Sequence, residues 1–146
     1  MRIDGVVVEG HRVASGANRD PRFPGGTVTM QVPVLLALGM DLRPFHPATI
    51  NISVAPRTVR LVAADVTYRQ VRWHPTEPAE DFSFAACRLL VSGRVVDALV
   101  YRPHPETKPE HFQAPHVLEV LAPRIGGLAY GDAVTFEIAD GTLAIR

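Results

Sequence analysis

The chain is poor in cysteine, in lysine and in net charge, and each shortage removes a class of explanation. Cys87 is the only cysteine, so no internal disulfide staples the fold. Its setting, Phe82-Ser83-Phe84-Ala85-Ala86-Cys87, marks it as a small buried hydrophobe. Lys108 is the only lysine; every other cation is an arginine, the better shaped side chain for bidentate contacts to phosphate or carboxylate, although genomic base composition produces the same bias. With 15 basic and 15 acidic residues the formal net charge is zero, and nothing in the overall field points to nucleic acid or to an anionic membrane as a partner. No apolar run approaches a membrane span, and Asp4 interrupts the segment where a secretory signal needs an unbroken apolar stretch. A cytoplasmic location is the expectation. There is no internal repeat and no low-complexity linker, and 146 residues predict a single domain, 1–146, large enough to bury a core without staples.

What the chain has instead is period-two patterning broken by 13 prolines and 11 glycines. Alternation predicts strands at 3–9, 26–32, 49–54, 65–73, 82–91, 94–101, 117–121, 133–139 and 142–145. Ser92-Gly93 and Asp140-Gly141 are pairs of turn-forming residues between such runs and predict tight hairpins. Pro33 at a first helical position, followed by Val34-Leu35-Leu36-Ala37-Leu38 and stopped by Gly39, predicts one short helix, and 123–128 a second helical turn. Many short strands and few helices in a chain of this size predict a mainly β fold, a small closed barrel, because closure removes exposed sheet edges.

One strand stands apart. Pro44-Phe45-His46-Pro47-Ala48-Thr49-Ile50-Asn51-Ile52-Ser53-Val54 is a double-proline turn running into a strand. Alternation puts Thr49, Asn51 and Ser53 on one face and Ile50, Ile52 and Val54 on the other. Three small oxygen-bearing side chains on a rigid strand suit a hard cation or a hydrogen-bonded ligand, although solvent exposure alone also makes a strand face polar. Two proline-rich loops, 18–26 and 103–115, are further candidates, because binding residues concentrate on loops held by a rigid scaffold. The second gathers His104, Glu106, His111 and His116, part of the ligand set for zinc or iron, but without metal-motif spacing or a helix to place it. His46 and His74 each precede a proline and read as turn residues.

Several segments, in order, resemble the archaeal-type CTP-dependent riboflavin kinases. The stretch 44–54 is similar to their P-Y-x-G-T-L-N motif, and Val117-Leu118-Glu119-Val120-Leu121-Ala122-Pro123 to their I-I-E-I-I-A-P segment. Gly5-Val6-Val7-Val8 with Ala14-Ser15-Gly16 resembles the opening strand and the start of the glycine loop, 26–33 the strand after it, and Leu128-Ala129-Tyr130-Gly131-Asp132-Ala133-Val134 the closing L-x-x-G-D-x-V. The resemblance implies a cradle-loop β-barrel that transfers a phosphoryl group from a nucleoside triphosphate to riboflavin or a similar alcohol. It implies Mg²⁺ held by Thr49 and Asn51, with Glu119 as the catalytic residue that accepts the hydroxyl proton or holds the ribityl chain. Phosphate contacts would come from Ser15, Gly16, Arg19, Arg22, Gly25 and Gly26, and substrate contacts from His104, Thr107, His111 and His116. Three features depart from the family: the glycine loop is longer, with its glycines split between 16 and 25–26, the motif glycine is Ala48, and loop 103–115 differs in length and composition from the family's short flavin-side loop. A non-catalytic barrel binding riboflavin, FMN or a nucleotide, and a histidine-centred metalloprotein, are the alternatives. In each case the expected partner is a small molecule, not nucleic acid or membrane.

Overall fold

A computed structural model of the chain describes residues 1–11 and 15–146; Ala14, one of the residues read into the glycine loop, lies outside them. The described residues form strands β1 (Arg2–Val8), β2 (Ile50–Ser53), β3 (Val59–Leu61), β4 (Val66–Val71), β5 (Glu80–Val91), β6 (Arg94–Pro103), β7 (Val117–Leu121), β8 (Ala133–Ile138) and β9 (Leu143–Ile145), and one helix, α1 (Thr27–Leu38). The fold is mainly β, as the alternation predicts. No helix among the described residues is long and apolar enough to cross a membrane.

Seven strands form one antiparallel sheet in the order β4-β5-β6-β7-β2-β1-β8. The 12-residue strand β5 organises it. One edge of β5 pairs with β6 from Phe82 to Val91, while the other is divided, with β4 opposite Glu80–Phe84 and β8 opposite Cys87–Leu90. The succession β5-β6-β7-β2-β1-β8 thus returns to the strand it starts from. Inward alternation gives the core: Ile3, Ile52, Leu89, Val100, Val120 and Phe136 are at most 4% exposed. A second cluster, including Phe23, Val28, Leu35, Trp73, Phe82, Phe84 and Tyr101, includes residues of α1 and of β5 and β6.

The structure corrects four expectations. Residues 26–32 are not a strand, and α1 begins at Thr27, placing Pro33 inside the helix. The β-branched residues there favour a strand locally, but Thr27, Val28, Gln31 and Leu35 are the buried positions, a spacing of three to four that only a helix provides. Gly39 does stop it, in the left-handed region at φ 107°, its N–H bonding back to Leu36. The 140–141 turn joins β8 to β9 without pairing them: β8 has β1 on one edge and β5 on the other, so β9 pairs with β3 in a separate ribbon. Strand β3 was not visible, because three residues display no period. Residues 123–128 form a turn at Gly126-Gly127 and no helix. The Ser92-Gly93 hairpin forms as expected, with φ positive at both residues (49° and 73°), the backbone of the turn that matches strand twist.

Candidate functional site

The polar face of β2 is not a solvent face. Asn51 is 9% exposed, and its cross-strand partner on β7 is Glu119, also 9% exposed. The Thr49 hydroxyl donates to Glu119 Oε1 at 3.1 Å, and Gln113 Nε2 donates to Asn51 Oδ1 at 3.1 Å. Thr49, Asn51 and Glu119, three residues picked out from two separate motifs, are therefore one cluster. Gly10 covers it: a Cβ there would lie 2.5 Å from Asn51 Nδ2, so only glycine lets the backbone come this close.

Burial pushes the Glu119 carboxyl above its ordinary range; Lys108 and hydrogen bonds from Thr49 and Gln113 pull it only part of the way back. The Thr49 hydroxyl and the Asn51 amide carbonyl are hard oxygens that fit Mg²⁺, and the incompletely compensated Glu119 carboxylate beside them adds negative charge that favours a cation there.

The glycines split in sequence are reunited in space. A Cβ on Gly16 would lie 2.7 Å from Gly26 N and 2.8 Å from Gly25 C, so the two halves of the loop touch backbone to backbone at the start of α1. Gly16, Gly25 and Gly26 all have positive φ (79°, 75° and 95°). Gly26 is the N-cap and no side chain caps the helix; the Gly26 N–H itself donates to Phe23 O at 2.8 Å. Replacing Gly16 by alanine is expected to lower stability by at least ~1–2 kcal/mol, because the clash is with backbone and φ lies in the left-handed region. Gly126→Ala, with nothing within 4 Å and no positive φ, is expected to shift it by less than about 0.5 kcal/mol. Urea denaturation of the two variants measures the difference.

Arg19 and Arg22 part company here. Arg19 is exposed. Arg22 is held by Asp20, Glu110 and Glu77, which together raise its pKa, while the guanidinium in turn brings Asp20 down to about 2. The bond to Glu110 ties the glycine loop to loop 104–116. That loop is anchored elsewhere as well: His104 Nε2 and Ser83 Oγ lie 2.6 Å apart, Thr107 Oγ1 accepts from Asp81 N at 2.9 Å, and the His11 ring meets Phe112 O at 2.8 Å. His104 and Thr107 thus fasten the loop to β5. His116 contributes its carbonyl, which accepts from Val54 N.

The four residues of the histidine-centred reading do not converge. His111 instead meets Asp20 and Glu110, with potential ligand atoms within 4.8 Å of one another, the one such group among the described residues. Arg22 already neutralises both carboxylates. His74 serves the turn as expected, its Nδ1 accepting from Thr76 N and Glu77 N.

Three cavities adjoin this region. The largest, about 500 Å³, lies between the β3–β9 ribbon, the end of β6 and loop 104–116. A small polar one of about 50 Å³ is lined by Gly10, Ser15, Thr49, Asn51, His111 and Glu119. A third, about 30 Å³, is lined by Phe23, Trp73, Tyr101 and Glu80. Glu80 accepts from Trp73 Nε1 at 2.9 Å, and Tyr101 donates to Gln31 at 2.7 Å. Glu119 and Gln113 line the first two cavities, and Lys108 lines all three. Nothing in the sequence pattern marks Gln113 or Gly10, and Lys108 stands out only as the single lysine. No protein-family model and no curated protein matches the chain.

Proposed function

We propose that the protein is a Mg²⁺-dependent phosphotransferase, with a closed six-strand barrel of the cradle-loop type, that moves a phosphoryl group from a nucleoside triphosphate to a hydroxyl of a small acceptor. The observation that carries it is Glu119, a buried carboxylate forming a common wall between the large cavity and the small polar one. An acceptor in the large cavity and phosphates in the small one would meet at that side chain.

Such a reaction asks the protein mainly to position reactants and neutralise charge. Ser15, at the start of the glycine loop, and Lys108 line the small polar cavity and would face the phosphates there. Thr49 and Asn51 would hold the Mg²⁺, whose charge, when it is bound, offsets that of the phosphates. Glu119 takes the proton of the acceptor hydroxyl as its oxygen bonds to the γ-phosphorus. The bond from that phosphorus to the bridging oxygen breaks, and its electron pair leaves with the nucleoside diphosphate. A base near neutrality is best for this, and burial moves Glu119 in that direction.

Arg22 favours a second reading. Its charge is consumed by three carboxylates, so it brings no free cation to the phosphates, and a barrel that binds a flavin or nucleotide without transfer fits that feature. Incubation with riboflavin, Mg²⁺ and CTP or ATP, followed by chromatography for FMN, separates the two. Transfer predicts FMN that Thr49→Ala and Asn51→Ala abolish; binding without product supports the second reading, and neither product nor binding removes riboflavin as the ligand.

A further inference from the structure

The β3–β9 ribbon has two unlike faces. Val59, Leu61, Leu143 and Ile145 pack against the core. Alternation places Thr58, Arg60, Ala144 and Arg146 on the opposite face: Arg60 and Ala144 are cross-strand partners, and Thr58 and Arg146 exchange both backbone hydrogen bonds, at 2.7 and 3.0 Å. All four line the large cavity. Across it stand Arg102 at the end of β6 and Lys108 on loop 104–116, so four cations surround about 500 Å³ that Glu119 alone, among acidic residues, also lines.

What sets these four apart is that they share one cavity wall with no carboxylate among the described residues paired to any of them. Arg2, Arg22, Arg43, Arg69 and Arg88 each form an ion pair with a carboxylate. Among the described residues, Arg60, Arg102, Arg146 and Lys108 form none. Like charges brought together on a concave wall raise the energy of the empty site and favour whatever anion enters it. Apart from Thr58, Gln113 and Glu119 the rest of the lining is largely apolar, with Phe112, Pro103, Pro115, Val117 and Leu118. A cavity of this size, apolar over most of its wall with a few convergent charged groups, is built for a small organic ligand.

We propose that this cavity binds an organic anion, an apolar ring system carrying a phosphate or carboxylate group that Arg60 and Arg146 receive. In the phosphotransferase reading, on which this last step rests, an anionic acceptor alcohol is then preferred to a neutral one such as riboflavin. Bidentate contact from two guanidinium groups to one oxyanion is the strongest form of charge-assisted hydrogen bonding available to a side chain.

The test is direct binding in the absence of nucleotide and Mg²⁺, so that it does not depend on any transfer. Fluorescence anisotropy is measured for FMN, for a 10-carboxymethyl flavin and for riboflavin, which share one ring system and differ in charge. Both anionic flavins are expected to bind at least ~10-fold more tightly than riboflavin, a preference that shrinks as salt rises. In the Arg60→Gln/Arg146→Gln double variant the preference is expected to vanish while riboflavin affinity stays within about twofold, and Arg60→Lys/Arg146→Lys is expected to keep part of it. Equal affinity for charged and neutral flavins in the unaltered protein overturns the proposal. So does a preference that survives in the glutamine variant, or one that Thr49→Ala removes, since that places the anion in the small polar cavity. If the preference holds but no acceptor is phosphorylated, the anion site stands and the catalytic reading falls.

Discussion

Replacing Glu119 by glutamine is expected to lower kcat for phosphoryl transfer by about 10²- to 10⁴-fold, the usual contribution of a positioned general base. Glutamine keeps the volume and a hydrogen-bond acceptor for Thr49, so KM is expected to move little and the loss to fall on the chemical step. The pH profile makes the assignment specific. Because burial raises the Glu119 pKa, the acidic limb of kcat/KM is expected to rise at a pH above the ordinary glutamate value of 4.5 and to disappear in the variant.

Stability responds with the opposite sign. A carboxyl whose folded pKa lies above its unfolded one binds its proton more tightly when folded, so the stability it contributes is full below about 4.5 and is lost as pH rises through the folded value. Glu119→Gln removes that loss. At pH 7 the variant is expected to melt at a higher temperature than the parent while being nearly inactive, and its melting temperature is expected to depend less on pH. A variant that retains activity within tenfold, or that is destabilised at pH 7, contradicts the role given to Glu119.

How much of this was legible in the chain depended on the range of the forces involved. The alternation along β1, β2, β5, β6, β7 and β8 was visible because a strand with one covered face writes its pattern residue by residue. So was the shared face of Thr49, just before β2, and Asn51 within it, since alternation carries through both. The first half of helix α1 is not legible because its burial is imposed by Trp73, Phe84 and Tyr101, which are distant in sequence, while its own β-branched residues argue for a strand. The partner of β9 was misassigned because pairing is decided by which edges are free, and β8 has none. The convergence of Gly16 with Gly25 and Gly26, and of Arg60 with Arg146, likewise exists only in three dimensions.

Truncating Phe136 to alanine is expected to cost roughly 3–5 kcal/mol, a large share of the stability of a domain this size. The side chain is fully buried, and its residue sits at the junction the sheet depends on: its cross-strand partners are Ile3 on β1 and Leu89 on β5. Residues 87–90 are where the succession of strands returns to β5. A cavity at this position weakens both pairings at once, so amide exchange is expected to accelerate together in β1 and in the second half of β5, with β3 and β9 less affected. The site is coupled to the same junction. Strand β1 pairs with β2 from Val6 to Val8, and the chain then carries Gly10 over Asn51. Loosening β1 is therefore expected to weaken nucleotide binding more than binding in the large cavity, whose ribbon hangs on β3 and β9. Urea denaturation and exchange mass spectrometry measure the two effects, with the exposed Val95→Ala as the control, expected within about 0.5 kcal/mol of the parent. A cost below ~1.5 kcal/mol, or faster exchange in β1 without any in β5, contradicts a closed circuit of strands.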